Sequence, residues 1–285
     1  MIVRVATPDG QGIGYLEHGV VHLLDLQSIG QVAKDDGRWS WSQARDRSRD
    51  SVPLSDLRLL APIDDTTEVW GCGVTYERSL EAREEEAGSS SDIYTRVYNA
   101  SRPEIFYKGV GHRCVGHGSS ASIRTDSKNC VPEPELAMLV SPTGTICGFT
   151  ICDDITARDL ESENPLYLPQ AKVWLGSCVL GPGIVPANEI DDPYALAITI
   201  GVARAGKEVF QGSSGTHLLR RRLNELAVAT LSNNPQPSGF FLTTGTAIVP
   251  PWEFALEQGD SVSITIESVG TLTHSIGLQA SEQEA

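Results

Sequence analysis

The sequence predicts a mixed, mainly β fold, with a β-rich C-terminal part and a small N-terminal α+β domain. Three observations lead there. Short β-branched runs recur between Gly, Pro and Asp turns, at 137–140, 145–152, 196–203, 247–249 and 262–266. The last of these alternates, with Val262, Ile264 and Ile266 on one face and polar residues between them. Stretches with helical periodicity are few.

Taken in order, Ile2, Val3, Val5, Ile13, Tyr15, Val20, Val21 and Leu23 form short apolar runs. Asp9-Gly10 and His18-Gly19 break them, the mark of a meander. Residues 25–50 are polar and rich in Arg and Asp, and read as a helix with loops. Leu60-Ala61-Pro62-Ile63-Asp64 reads as a linker, dividing the chain into 1–62 and 63–285. Residues 77–86 form a helix charged nearly throughout, either a mobile lid or a plain exposed helix. Ser141-Pro142-Thr143-Gly144 is a turn, with Pro at its second position and Gly at its fourth. The clearest helix runs over 215–231, with Leu219, Leu223, Leu226 and Thr230 on one side. Arg220, Arg221 and Arg222 on it make a solvated or subunit-facing stripe rather than a phosphate site. Low complexity is confined to Gly88-Ser89-Ser90-Ser91-Asp92.

Composition narrows the function. A chain of 285 residues suits one large domain, or a main domain with a small one. Its 40% hydrophobic and 21% charged residues are those of a globular protein rather than a disordered one. A net charge of −15 excludes nucleic acid and an anionic membrane surface as partners, because both require concentrated Lys and Arg. No apolar run approaches the roughly 18 residues of a spanning helix, and the first ten residues read as strand and turn rather than signal peptide. Cys72, Cys114, Cys130, Cys147, Cys152 and Cys178 contain no Cys-x-x-Cys pair, which indicates reduced, buried thiols and a cytoplasmic setting. His18 and His22 stand four apart on a strand, roughly 13 Å, too far to share an ion. His112 and His117 flank a Gly-rich loop.

Chemistry concentrates at Glu133-Pro134-Glu135, Asp154 and Lys172. Pro134 pushes Glu133 into the extended region, and residues two apart on a strand face the same way. Two carboxylates side by side repel unless a cation lies between them. All-oxygen donors suit magnesium, manganese or calcium rather than zinc. The alternative is a solvated strand face. If the 141–144 turn closes a simple hairpin, Val140 pairs with Thr145, Glu133 with Cys152 and Val131 with Asp154. Glu133, Glu135 and Asp154 then share one face. Asp154 would lie diagonally from Glu133, roughly 7–8 Å away between Cα atoms. Glu135 would be farther still, at the limit of shared coordination unless the strand bulges.

These segments resemble the fumarylacetoacetate hydrolase superfamily, in which a Glu-x-Glu pair and a later Asp bind magnesium at the mouth of a β-rich fold. The similarity covers about 70–270. It lies in Pro132-Glu-Pro-Glu-Leu-Ala137, in the stretch from Gly148 to Asp159, in Leu168-Pro-Gln-Ala-Lys172 and in Thr243-Thr-Gly-Thr246. It implies that Glu133, Glu135 and Asp154 hold Mg2+, with Mn2+ or Ca2+ as substitutes. Gly73 to Ser79, Glu81 to Glu86, Arg102 to Phe106 and Glu161 to Tyr167 resemble most closely the family's 2-keto-3-deoxy-D-arabinonate dehydratase branch. Hydrolases and decarboxylases of the family commonly carry a lid His three residues after a tyrosine. Here that position is Ser79, and the third residue beyond is Ala82. Dehydration needs no such water-activating base.

The resemblance implies a magnesium-dependent dehydration of a small sugar-acid substrate. The 2-keto acid chelates the ion, which acidifies C3. Loss of a C3 proton gives an enolate that expels the C4 hydroxyl, leading to 2,5-dioxopentanoate. Lys172 holds the substrate carboxylate or growing oxyanion, or is an ordinary ion pair. Thr246 offers its hydroxyl to the substrate, or is structural in its turn. Glu104, between Pro103 and the apolar Ile105-Phe106, is the acid/base, or a structural carboxylate paired with Arg102 or Lys108. Arg78 and Ser79 contact sugar-acid hydroxyls, whereas Arg158 and Asp159 stabilise a turn or helix start. A homodimer or homotetramer is implied. Two other readings stay open: a hydrolase cleaving the C–C bond of an acylpyruvate or 2,4-diketo acid, and a non-catalytic sugar-acid sensor.

Overall fold

The structure, a computed structural model, describes residues 1–8, 10–34, 36, 44, 46–79, 81 and 91–278. The N-terminal strands are β1 (Ile2–Thr7), β2 (Gly10–Glu17), β3 (Val20–Leu24), β4 (Ser48–Pro53) and β5 (Arg58–Leu60). Next come β6 (Glu68–Gly73), β7 (Glu104–Val110), β8 (Cys114–Val115), β9 (Ser120–Ile123), β10 (Cys130–Val131), β11 (Pro134–Val140), β12 (Ile146–Asp154) and β13 (Thr156–Ala157). The last are β14 (Cys178–Pro186), β15 (Ala197–Arg204), β16 (Lys207–Gly215), β17 (Phe240–Thr243), β18 (Ser261–Ile266) and β19 (Gly270–Leu278). Short helices are α1 (Ile29–Lys34), α2 (Ser91–Asn99), α3 (Arg158–Glu163), α4 (Leu168–Lys172) and α5 (Leu223–Leu231).

Twelve strands form one sheet, in the order β4-β3-β2-β1-β14-β12-β11-β17-β6-β7, with β5 paired to β1 and β8 to β14. Five strands form a second, β16-β15-β18-β19-β9. β11 is buried on both faces, as its unbroken apolar run requires. Leu136, Met138 and Val140 belong to a core shared with Ile198, Ile200, Val262 and Ile264 of the second sheet. Ala137 and Leu139 belong to another, shared with Ile2, Ile29, Val32 and Phe241. The hairpin carrying the acidic residues is therefore clamped between two cores.

Several expectations change. The 60–64 segment is packed rather than a free linker: Leu60 pairs with Arg4, and Ile63 is fully buried. Asp64 accepts hydrogen bonds from the amides of Ile29 and Gly30 at 2.8 Å, holding the start of α1. The helix expected over 215–231 begins only at Leu223. Before it, Leu219 and Arg222 are extended, because Leu219 bridges to Tyr76 and the Arg220 amide donates to Thr75 O at 3.0 Å. The three arginines thus precede the helix. Arg221 is buried and binds Glu225, while Arg220 and Arg222 lie over Tyr98 and Tyr194. Residues 247–249 form no strand, consistent with the Pro250-Pro251 pair that follows. Glu77–Ser79 and Glu81 are helical. The rest of the charged 77–86 helix, the lid position Ala82 and 88–90 of the Gly-Ser segment lie outside the described residues.

Candidate active site

The site is built on the β11–β12 hairpin, and its register differs from the simple one. The loop spans 141–145, closed by Ser141 N donating to Thr145 O at 2.8 Å, so Val140 pairs with Ile146. A bulge beside it then shifts the pairing again, and Leu139 meets Gly148. These two single-residue shifts together leave Glu133, Glu135 and Asp154 on their expected face. They also bring Asp154 directly opposite Glu133, whose carbonyl accepts from the Asp154 amide at 3.0 Å. The diagonal arrangement is thereby corrected to a direct one. One carboxylate oxygen each from Glu133, Glu135 and Asp154 lies within 4.8 Å of the others.

All three are buried, yet the cluster does not stand uncompensated. Lys172, the last residue of α4, donates to Glu133 Oε2 at 2.6 Å, Asp154 Oδ2 at 3.2 Å and Thr156 Oγ1 at 2.7 Å. Lys108 on β7 places its ammonium 2.5 Å from Asp154 Oδ1, and donates to the carbonyls of Lys172 and Ile155. Two ammonium groups against three carboxylates leave one excess negative charge in a desolvated place. Burial, and then the charges of Asp154 and Glu133, push the Glu135 carboxyl well above its ordinary range. Glu135 Oε2 accepts the Gly245 amide at 2.6 Å. Gly245 has φ +81°, and a Cβ there would lie 2.1 Å from Thr75 Oγ1. The position thus requires glycine. Three hard oxygen donors with one surplus charge suit a divalent magnesium ion.

A cavity of about 40 Å³ opens beside the cluster, enough for an ion and a few waters. Glu133, Glu135, Lys172, Glu104, Ser79 and Thr246 line it. Glu104 lies against the backbone of Gly73, where a Cβ would meet its Oε2 at 2.1 Å. Lys108, the alternative partner, has its ammonium on Asp154. Ser79 Oγ donates to Tyr76 O at 2.8 Å. Thr246 Oγ1 accepts the Ile248 amide at 3.2 Å, holding the turn. Arg78 is not brought to the cavity: half-exposed, it pairs with Glu81 at 3.1 Å. Arg158 and Asp159 serve structure, Arg158 donating to Pro250 O and Pro251 O, and Asp159 accepting from Ser127 and Lys128.

A model of the family described as fumarylacetoacetate (FAA) hydrolase C-terminal matches residues 68–277. The chain belongs to the fumarylacetoacetate hydrolase family. Residues 1–62 match the domain described as Rv2993c-like, N-terminal. Within the family, the chain is 48% identical over 225 residues to the 2-dehydro-3-deoxy-D-arabinonate dehydratase of Saccharolobus solfataricus, covering 78% of this chain and 75% of that one. Its structure matches that of a 2-keto-3-deoxy-D-arabinonate dehydratase complexed with magnesium and 2,5-dioxopentanoate. The TM-score is 0.85 at 38% identity, over 98% of this chain and 99% of the other.

Sequence reasoning missed Lys108 as a site residue, together with Tyr94 and Glu161, which also line the cavity. A signal for Lys108 existed. Glu104, Phe106 and Lys108 alternate along β7, so a strand that turns Glu104 to the cavity turns Lys108 to the same side. Glu161 on α3 opens a segment that resembles the dehydratase branch but was given no role, and Tyr94 on α2 gave no signal, because nothing in the sequence aligns that helix with the hairpin.

Proposed function

We propose that this chain dehydrates a 2-keto-3-deoxy sugar acid, converting 2-dehydro-3-deoxy-D-arabinonate to 2,5-dioxopentanoate and water, with Glu133, Glu135 and Asp154 holding Mg2+. The observation that carries the reading is the cavity lined by Glu133, Glu135, Lys172 and Glu104, with Asp154 bonded to the same Lys172 ammonium. When bound, magnesium would act as a Lewis acid on a 2-keto acid and make its C3 protons acidic. Lys172 shares Glu133 and Asp154 with that ion, so magnesium binding would release its ammonium towards the substrate carboxylate. Glu104 would take the C3 proton and return it to the departing C4 hydroxyl. The result is a C3=C4 double bond. Moving one C5 proton and the C5 hydroxyl proton to C3 and C4 then completes the aldehyde, so the atoms balance with one water lost. Thr246 and Ser79 would offer hydroxyls from the cavity wall to the sugar acid. Arg78 would reach the substrate only after leaving Glu81.

The same reading makes the protein a cytoplasmic homodimer or homotetramer of pentose catabolism. Its six free cysteines fit a reducing compartment, and light scattering behind size exclusion measures the oligomer. The deciding experiment is a proton NMR time course on metal-stripped protein with 2-keto-3-deoxy-D-arabinonate, before and after magnesium. The expected outcome is magnesium-dependent 2,5-dioxopentanoate, reduced roughly 10²- to 10⁴-fold in Glu104→Gln. Absence of turnover with this substrate, alongside pyruvate release from an acylpyruvate, would replace the dehydratase with a hydrolase.

A further inference from the structure

We propose that Asp153 and His274 form a buried positioning pair that sets the backbone of the metal ligand Glu133. Asp153 adjoins Asp154 on β12 but faces the opposite way, as successive strand residues do. Its Oδ1 accepts the Glu133 amide at 2.8 Å, and its Oδ2 accepts His274 Nε2 at 2.8 Å. A carboxylate can only accept, so Nε2 carries the proton. Both side chains are fully buried.

The local sequence explains why Glu133 needs this support. It lies just before β11, and the next residue, Pro134, faces Asp153 in the ladder without an amide to give. The ladder holds the Glu133 carbonyl through the Asp154 amide. The Asp153 side chain supplies the acceptor for the Glu133 N–H. Two consecutive residues of β12 thus fix the peptide groups on either side of the Glu133 side chain. His274 belongs to β19 in the second sheet, where it pairs with Val262. The pair therefore ties the second sheet to the hairpin at the point where the first ligand enters it. Ligand carboxylates that must share one ion tolerate little backbone play, and partners behind such ligands typically change metal affinity by roughly 10- to 100-fold.

This inference rests on the magnesium centre, and the test separates the two. Isothermal titration of magnesium into metal-stripped protein compares the unaltered chain with Asp153→Ala, Asp153→Asn, His274→Gln and the Asp153→Ala/His274→Gln double variant. Thermal unfolding in chelator runs in parallel. Asp153→Ala is expected to weaken magnesium roughly 10- to 100-fold. Asp153→Asn, which keeps an oxygen for the Glu133 amide, should restore most of that loss. His274→Gln should weaken binding by less than Asp153→Ala, and the double variant should bind no worse than Asp153→Ala, because both residues act through one hydrogen bond. Should Asp153→Ala fail to fold, His274→Gln and Asp153→Asn carry the comparison. Folded variants that melt lower yet bind magnesium as the unaltered chain does would overturn the positioning role and leave a purely structural pair. No magnesium binding by the unaltered chain would overturn the metal centre, and this inference with it.

Discussion

At the residue scale, the site is a problem in charge balance. With Glu135 protonated, the ammonium groups of Lys108 and Lys172 neutralise Asp154 and Glu133, and the buried cluster carries no net charge. The raised affinity of Glu135 for its proton is the direct consequence of burial beside two other carboxylates. A carboxyl whose folded pKa exceeds its unfolded value stabilises the fold most at low pH, and that contribution is lost as pH rises towards the folded value. The metal-free protein should therefore lose stability as pH rises from the ordinary carboxyl range towards the raised value of Glu135. Magnesium held by the triad would reverse the penalty by requiring the charged form, so its binding would release a proton. Calorimetry in two buffers of different ionisation heat should detect that proton. The magnesium-induced rise in melting temperature should be larger at about pH 8 than at about pH 6. An equal rise at both values would mean that Glu135 is already ionised before the ion arrives.

At the element scale, the hairpin shows how far strand pattern carries and where it stops. The period of two placed Glu133, Glu135 and Asp154 on one face, and the two-residue total offset preserved that face. The offset itself was not legible: whether a loop uses four or five residues, and whether a bulge follows, depends on backbone pairing that residue types leave open. The 215–231 helix failed for a related reason. Leu219 and Arg220 follow a helical pattern, yet bridging to Tyr76 and Thr75, far away in sequence, keeps them extended. The turn bearing Gly245 was legible as a turn but not as a ligand to Glu135. Gly245→Ala forces a left-handed φ on a residue with a Cβ, about 1–2 kcal/mol, and drives that Cβ into Thr75. The amide that holds Glu135 must then move. A lower melting temperature and weaker magnesium binding in the titration are expected together. A lower melting temperature alone would show that Glu135 keeps its position without the Gly245 amide.

At the scale of the whole molecule, the N-terminal residues complete the large sheet rather than sit beside it. β1 lies between β2 and β14, with Ile2 paired to Ile184. Tyr15 Oη donates to Glu189 at 2.6 Å, and Ile2, Ile13 and Tyr15 share a core with Leu139, Leu180 and Phe241. The 60–64 segment reads as a linker and the two family matches meet near it, while pairing between strands more than 170 residues apart leaves no local trace. A chain begun at residue 63 would expose the β14 edge and the apolar face around Ile184, Leu180 and Leu139. Such an edge is a template for pairing with further copies. β14 also lies beside β12, with Cys178 opposite Asp154, so loosening it reaches the carboxylates proposed to hold the ion. The truncated chain is expected to aggregate on size exclusion and to give no saturable magnesium heat, whereas the full chain elutes as a discrete species. A soluble 63–285 fragment that binds magnesium like the full chain would mean that the β-rich part folds on its own, and that the shared sheet only joins two independent units.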